Sequence, residues 1–109
     1  MLDLSTGKPA QGLQIELFAV DGGDVSLKRA TTNSDGRVDS PLLTPETIKV
    51  GEYKLLFQAG EYLRRVHGIS DADLFLDQVP LVFRIFDAAQ KYHVPLLLSP
   101  YGYSTYRGS

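Results

Sequence analysis

Apolar and polar residues alternate along four stretches of this chain, and that two-residue period predicts most of its structure. In residues 11–20, Leu13, Ile15, Leu17 and Ala19 fall on one face and Gln14 and Glu16 on the other, the pattern of a half-buried strand. Phe18 and Val20 interrupt the polar face near its end. In residues 51–58, Tyr53, Leu55 and Phe57 oppose Glu52, Lys54 and Gln58. In residues 78–86, Val79, Leu81, Phe83 and Ile85 face one way, while Pro80, which has no N–H to donate, marks an edge or a strand start. In residues 92–98, Tyr92, Val94, Leu96 and Leu98 share a face that reads as core. His93, Pro95, Leu97 and the following Ser99 share the opposite face.

The remaining segments fit between these strands. Residues 1–4 read as the end of a strand and 5–9 as a loop containing Gly7 and Pro9. Residues 25–32 form another strand, bounded by turn signals at Asp21-Gly22-Gly23-Asp24 and Asn33-Ser34-Asp35-Gly36. Residues 38–47, with Pro41 and Pro45, read as a short strand and a loop. The period changes in residues 59–66, where Tyr62, Leu63 and Val66 take helical spacings and Glu61, Arg64 and Arg65 the other face. His67-Gly68 closes that helix, since glycine suits the position after a last turn and a cation there complements the helix dipole. Residues 69–77 form an acidic loop and 87–91 a connector. A tight turn at Ser99-Pro100 leads into a last strand over 101–109. Seven or eight short strands with one brief helix predict an all-β fold, a two-sheet β-sandwich.

Composition narrows the function. A chain of 109 residues fits one domain, 1–109, and its 43% hydrophobic content is enough for a real core. The net charge of −2 and the lack of a basic stripe argue against a nucleic-acid partner. No cysteine is present, which removes disulfides, thiolate metal ligands and cysteine nucleophiles together. No run approaches the ~18 apolar residues of a membrane helix, and no leader pattern opens the chain, so no membrane association and a cytoplasmic location are expected.

Few residues carry candidate chemistry. His93 projects from the face opposite the core, where an imidazole can act as a base near neutral pH or simply make a surface hydrogen bond. Arg37 follows a tight turn, as many solvated arginines do, yet a planar guanidinium also grips carbonyl groups at two points. The ending Tyr106-Arg107-Gly108-Ser109 supplies a phenol, a guanidinium and a hydroxyl, and Arg-Gly-Ser has no evident packing role. His67 is assigned no catalytic role. The carboxylate pairs Asp21/Asp24 and Asp71/Asp73 lack the spacing of a calcium loop, and no serine sits in a nucleophile elbow.

The ending, together with His93-Val94-Pro95-Leu96-Leu97 and Ser99-Pro100-Tyr101-Gly102-Tyr103-Ser104-Thr105, resembles the 5-hydroxyisourate hydrolases, the transthyretin-related enzymes of urate breakdown. The likeness extends to Leu2-Asp3 with Thr6-Gly7-Lys8-Pro9-Ala10, to Thr32-Asn33-Ser34-Asp35-Gly36-Arg37, and to Gly51-Glu52-Tyr53. It implies a transthyretin-like sandwich of two four-stranded sheets and a homotetramer, a dimer of dimers with active sites in a central channel. It implies cofactor-free, metal-free hydrolysis of a small-molecule substrate, the lactam ring of 5-hydroxyisourate. The family's arginine falls on Arg37, its C-terminal histidine on His93, and its tail tyrosine and serine on Tyr106 and Ser109. His93, Arg37 and Ser109 are thereby implied as catalytic, and Arg37, Tyr106 and Ser109 as substrate-binding. The family carries a second histidine two residues before its Leu-Asp. Here Met1 takes the intervening valine's place, so a first strand truncated at its N-terminus is expected. Two other readings use the same residues: a transthyretin-like carrier of a small aromatic ligand, and a catalytically impaired homologue kept as an interaction domain.

Overall fold

Eight strands and one helix form among the described residues. They are β1 (Leu2–Asp3), β2 (Lys8–Pro9), β3 (Gln14–Ala19), β4 (Val25–Thr31), β5 (Gly51–Phe57), α1 (Ala59–His67), β6 (Val79–Ile85), β7 (Leu96–Ser99) and β8 (Gly102–Thr105). A computed structural model describes residues 1–44 and 46–108 of the chain. The strands form two four-stranded sheets, ordered β2-β1-β7-β8 and β4-β3-β5-β6. The core lies between them. Ile15 and Leu17 of β3, Tyr53, Leu55 and Phe57 of β5, and Val79 and Ile85 of β6 face Leu96 and Leu98 of β7. Strand β5 is central, and its residues alternate buried and half-buried along its whole length, as the sequence predicts.

Helix α1 follows β5 after a single residue and buries Ala59, Gly60, Tyr62 and Leu63. Gly68 ends it at φ 64°, with its N–H donating to the Arg64 carbonyl at 3.0 Å. That left-handed cap is one only glycine adopts freely. Val66, expected on the apolar face, is 44% exposed, so burial along the helix stops at Leu63.

Four local expectations need correction. Within the predicted 5–9 loop, Lys8–Pro9 forms the edge strand β2, paired with β1 as Leu2↔Pro9 and Asp3↔Lys8. The Asp3 carbonyl organises that hairpin by accepting from the N–H groups of Thr6 and Gly7. The short strand expected in 38–47 does not form among the described residues; Pro45 lies outside them. Instead Leu42, Leu43 and Ile48 pack against the core from a loop. The strand expected over 92–98 begins at Leu96, because Pro95 has no amide hydrogen for the ladder. The strand expected over 101–109 is regular over Gly102–Thr105.

The strand order leaves β2 and β8 as the edges of one sheet and β4 and β6 as the edges of the other. Val82 on β6 and Tyr103 on β8 are exposed there. No helix among the described residues is long and apolar enough to cross a membrane.

Candidate active site

Strands β1 and β7 run parallel, with Leu2 opposite Leu97 and Asp3 opposite Leu98. Both therefore begin at the same end of their sheet. Strand β8 runs antiparallel to β7, so its C-terminal end arrives there too. His93 precedes β7 at this end, Tyr106 and Gly108 follow β8, and Met1 precedes β1. Past Pro95 the pairing resumes as an isolated bridge between His93 and Gly108, in the register set by Leu96↔Thr105. The Gly108 N–H donates to the His93 carbonyl at 2.7 Å. Across the gap, the Thr105 hydroxyl donates to the Pro95 carbonyl at 2.7 Å. In that register His93 shares a sheet face with Leu2, Leu97, Ser104 and Tyr106. His93 is exposed and Leu96 and Leu98 are buried, as expected, but Pro95, expected on the outward face with His93, is buried as well.

Arg37 reaches the same end through Met1. The turn before it is built by Asn33, whose side-chain oxygen accepts from the N–H groups of Asp35 at 2.9 Å and Arg37 at 3.2 Å. The Asn33 N–H donates to the Arg37 carbonyl at 2.7 Å, closing the turn. Gly36 sits at φ 72°, and a Cβ added there would overlap the Met1 carbonyl oxygen. The Met1 amino nitrogen donates to the Gly36 carbonyl at 2.6 Å. Burial first, and the charge of Arg37 second, hold the Met1 amino group below its usual pKa. The Met1 sulfur in turn accepts from the Leu96 N–H at 3.3 Å, at the start of β7. Met1 thus links the Arg37 turn to the strand that His93 precedes.

The segment after β8 does pack, against expectation. The Arg107 guanidinium carbon lies 4.5 Å from the Tyr92 ring centre and 5.2 Å from that of Phe86. Its Nη2 donates to the Gln90 side-chain oxygen at 2.8 Å and to the Lys91 carbonyl at 3.3 Å. Gly108 is buried, whereas Tyr106 is 57% exposed. Ser109, the other implied site residue, lies outside the described residues. A cleft of about 240 Å³ opens beside this segment, between β6 and the end of β8, bordered by Leu81, Phe83, Tyr92, Val94 and Tyr106 among others. Neither His93 nor Arg37 borders it.

One cluster escaped the sequence reading. Asp3 is 1% exposed, in a strand where it looked like an interruption. Its carboxylate accepts from the Tyr62 hydroxyl at 2.7 Å and the Ser5 N–H at 2.9 Å, and pairs with His67 Nε2 at 2.6 Å. Burial alone would raise its pKa; the hydrogen bonds from Tyr62, His67 and Ser5 outweigh that and hold it below the usual carboxylate value. Burial and the Asp3 carboxylate push the Tyr62 phenol upward. His67 therefore does more than complement the helix dipole: with Tyr62 it ties α1 to β1.

Residues 1–108 match the model of the HIUase/Transthyretin family. The chain is 53% identical over 111 residues to 5-hydroxyisourate hydrolase 2 of Rhizobium meliloti (strain 1021), covering 100% of this chain and 92% of that protein. It is 49% identical over 110 residues to 5-hydroxyisourate hydrolase of Pseudomonas aeruginosa, covering 100% of this chain and 87% of that protein. Among solved structures, (S)-allantoin synthase superposes with a TM-score of 0.91 at 38% identity. That likeness takes in 99% of this chain but only 41% of the longer synthase chain.

Proposed function

The chain belongs to the HIUase/transthyretin family, and from that premise we propose that it is a hydrolase opening the lactam ring of 5-hydroxyisourate, a step of purine breakdown. The observation that carries the site assignment is convergence. His93, Tyr106 and Gly108 gather where β1 and β7 begin, and Met1 ties the Arg37 turn to the same place.

The reaction adds water to the ring carbonyl and breaks the adjoining C–N bond, leaving a carboxylate while the ring nitrogen takes a proton. His93 takes the proton of the attacking water, a role worth roughly 10²–10⁴-fold in rate. Arg37 holds the substrate oxygens and stabilises the charge that develops on the carbonyl oxygen. Tyr106 and Ser109 hydrogen-bond the flat, polar substrate. No cofactor or metal takes part in this scheme.

The proposal includes a homotetramer, built as a dimer of dimers, and a cytoplasmic location. Two features support the assembly. The edges β6 and β8 present unpaired backbone that a second copy can extend. The face carrying His93 also carries Leu2 and Leu97, which a partner would cover. Sedimentation of the purified protein and fractionation of cells test these two parts.

The activity itself is tested by following the absorbance of freshly generated 5-hydroxyisourate. The proposal expects faster decay with protein than without. A folded protein that leaves the spontaneous rate unchanged would overturn it.

A further inference from the structure

Phe86 and Tyr92 stand edge to face, with ring centres 5.6 Å apart and planes at 84°. The pair is anchored to the end of β6, because the Tyr92 hydroxyl accepts from the N–H groups of Phe86 and Asp87, each at 3.0 Å. The Arg107 guanidinium lies against both rings while donating to Gln90 and to the Lys91 carbonyl. A planar cation that stacks and donates at once is held in orientation as well as in place, which a lysine ammonium cannot reproduce.

The next residue touches the histidine. Beyond Thr105, the backbone tie between this segment and the His93 strand, among the described residues, is the Gly108 N–H on the His93 carbonyl. A Cβ built on Gly108 would overlap His93 Nδ1, and would stand 3.0 Å from Cγ and 3.2 Å from Cβ of that side chain. The imidazole therefore rests directly on the Gly108 backbone. Among the described residues no side-chain hydrogen bond of the ring accompanies this contact.

We propose that Arg107 and Gly108 are positioning residues for His93. Arg107 clamps the segment after β8 onto the Phe86–Tyr92 platform, and Gly108, having no side chain, forms the floor on which the imidazole lies. The inference rests on the reading of His93 as the base. It predicts that the ring moves when either residue changes.

The test uses the full chain with Gly108→Ala and, separately, Arg107→Lys at an exposed position, each checked for wild-type thermal unfolding. The chain has only two histidines, so His67 is an internal control in a carbon–proton NMR spectrum of the imidazoles. The expected result is that the His93 ring resonances shift while those of His67 stay. With 5-hydroxyisourate, kcat falls by up to about 10²-fold and KM holds, the effect of a misplaced catalytic group. Unmoved His93 resonances in both variants would overturn the proposal, as would a wild-type kcat in both while His93→Ala is inactive. If His93→Ala keeps the wild-type rate, the base assignment fails instead, and the NMR spectra alone decide whether Arg107 and Gly108 position the ring.

Discussion

Replacing Tyr62 by Phe removes one oxygen from a 2% exposed side chain and leaves its volume in the core almost unchanged. What is lost is the 2.7 Å hydrogen bond to the buried Asp3 carboxylate. A hydrogen bond to a charged group contributes about 1.5–3 kcal/mol, against about 0.5–1.5 kcal/mol for a neutral pair. Tyr62→Phe should therefore cost about 1.5–3 kcal/mol at neutral pH, with little cavity term to add. The pH dependence gives a second check. Asp3 has a folded-state pKa below its unfolded value, so its contribution is present above the unfolded value, ~3.9 for an ordinary Asp, and is lost as pH falls through the folded one. Tyr62→Phe has less of this contribution to lose. The gap between the two proteins should narrow in acid toward the value of a neutral hydrogen bond. Urea unfolding at matched protein concentration, at neutral and acid pH, measures both quantities. A neutral-pH gap below about 0.5 kcal/mol, or one that does not narrow in acid, would refute the reasoning.

Two further outcomes follow from the Arg37 turn. Gly36→Ala should destabilise by more than the ~1 kcal/mol of a tolerated glycine change, because φ is positive and the new Cβ meets the Met1 carbonyl; thermal unfolding reads this directly. Arg37→Ala should lower kcat on 5-hydroxyisourate by roughly 10²–10³-fold without loss of fold, checked by the absorbance assay beside circular dichroism.

The strands were legible wherever one face is core and the other is not. Ile15, Leu17, Tyr53, Leu55 and Phe57 are all buried, and their alternation reads directly from the sequence. The β-sandwich follows from the same signal, and the helix from the change of period in residues 59–66. Strand β7 starts later than its apolar pattern because backbone chemistry overrides side-chain period at Pro95. Strand β2 was hidden because its pairing depends on the Asp3 carbonyl turning the chain, not on any alternation of its own. The outward aspect of His93 was legible, since it depends on period alone. The buried role of Asp3 was not: its partners Tyr62 and His67 lie 59 and 64 residues away. The Arg107 clamp is hidden for the same reason, because nothing local to the Tyr-Arg-Gly ending announces a platform at Phe86 and Tyr92. Glycine at 108 looked like a tail residue, and becomes intelligible once the His93 ring is seen against it.

The central claim is that His93 is the base of a lactam hydrolase. Its most direct test is the decay of 5-hydroxyisourate with wild type and with His93→Ala, at equal concentration and with matched thermal stability. The account predicts that the wild type accelerates decay and that the variant loses roughly 10²–10⁴-fold of that acceleration. A folded His93→Ala protein that hydrolyses the substrate as fast as wild type would contradict it.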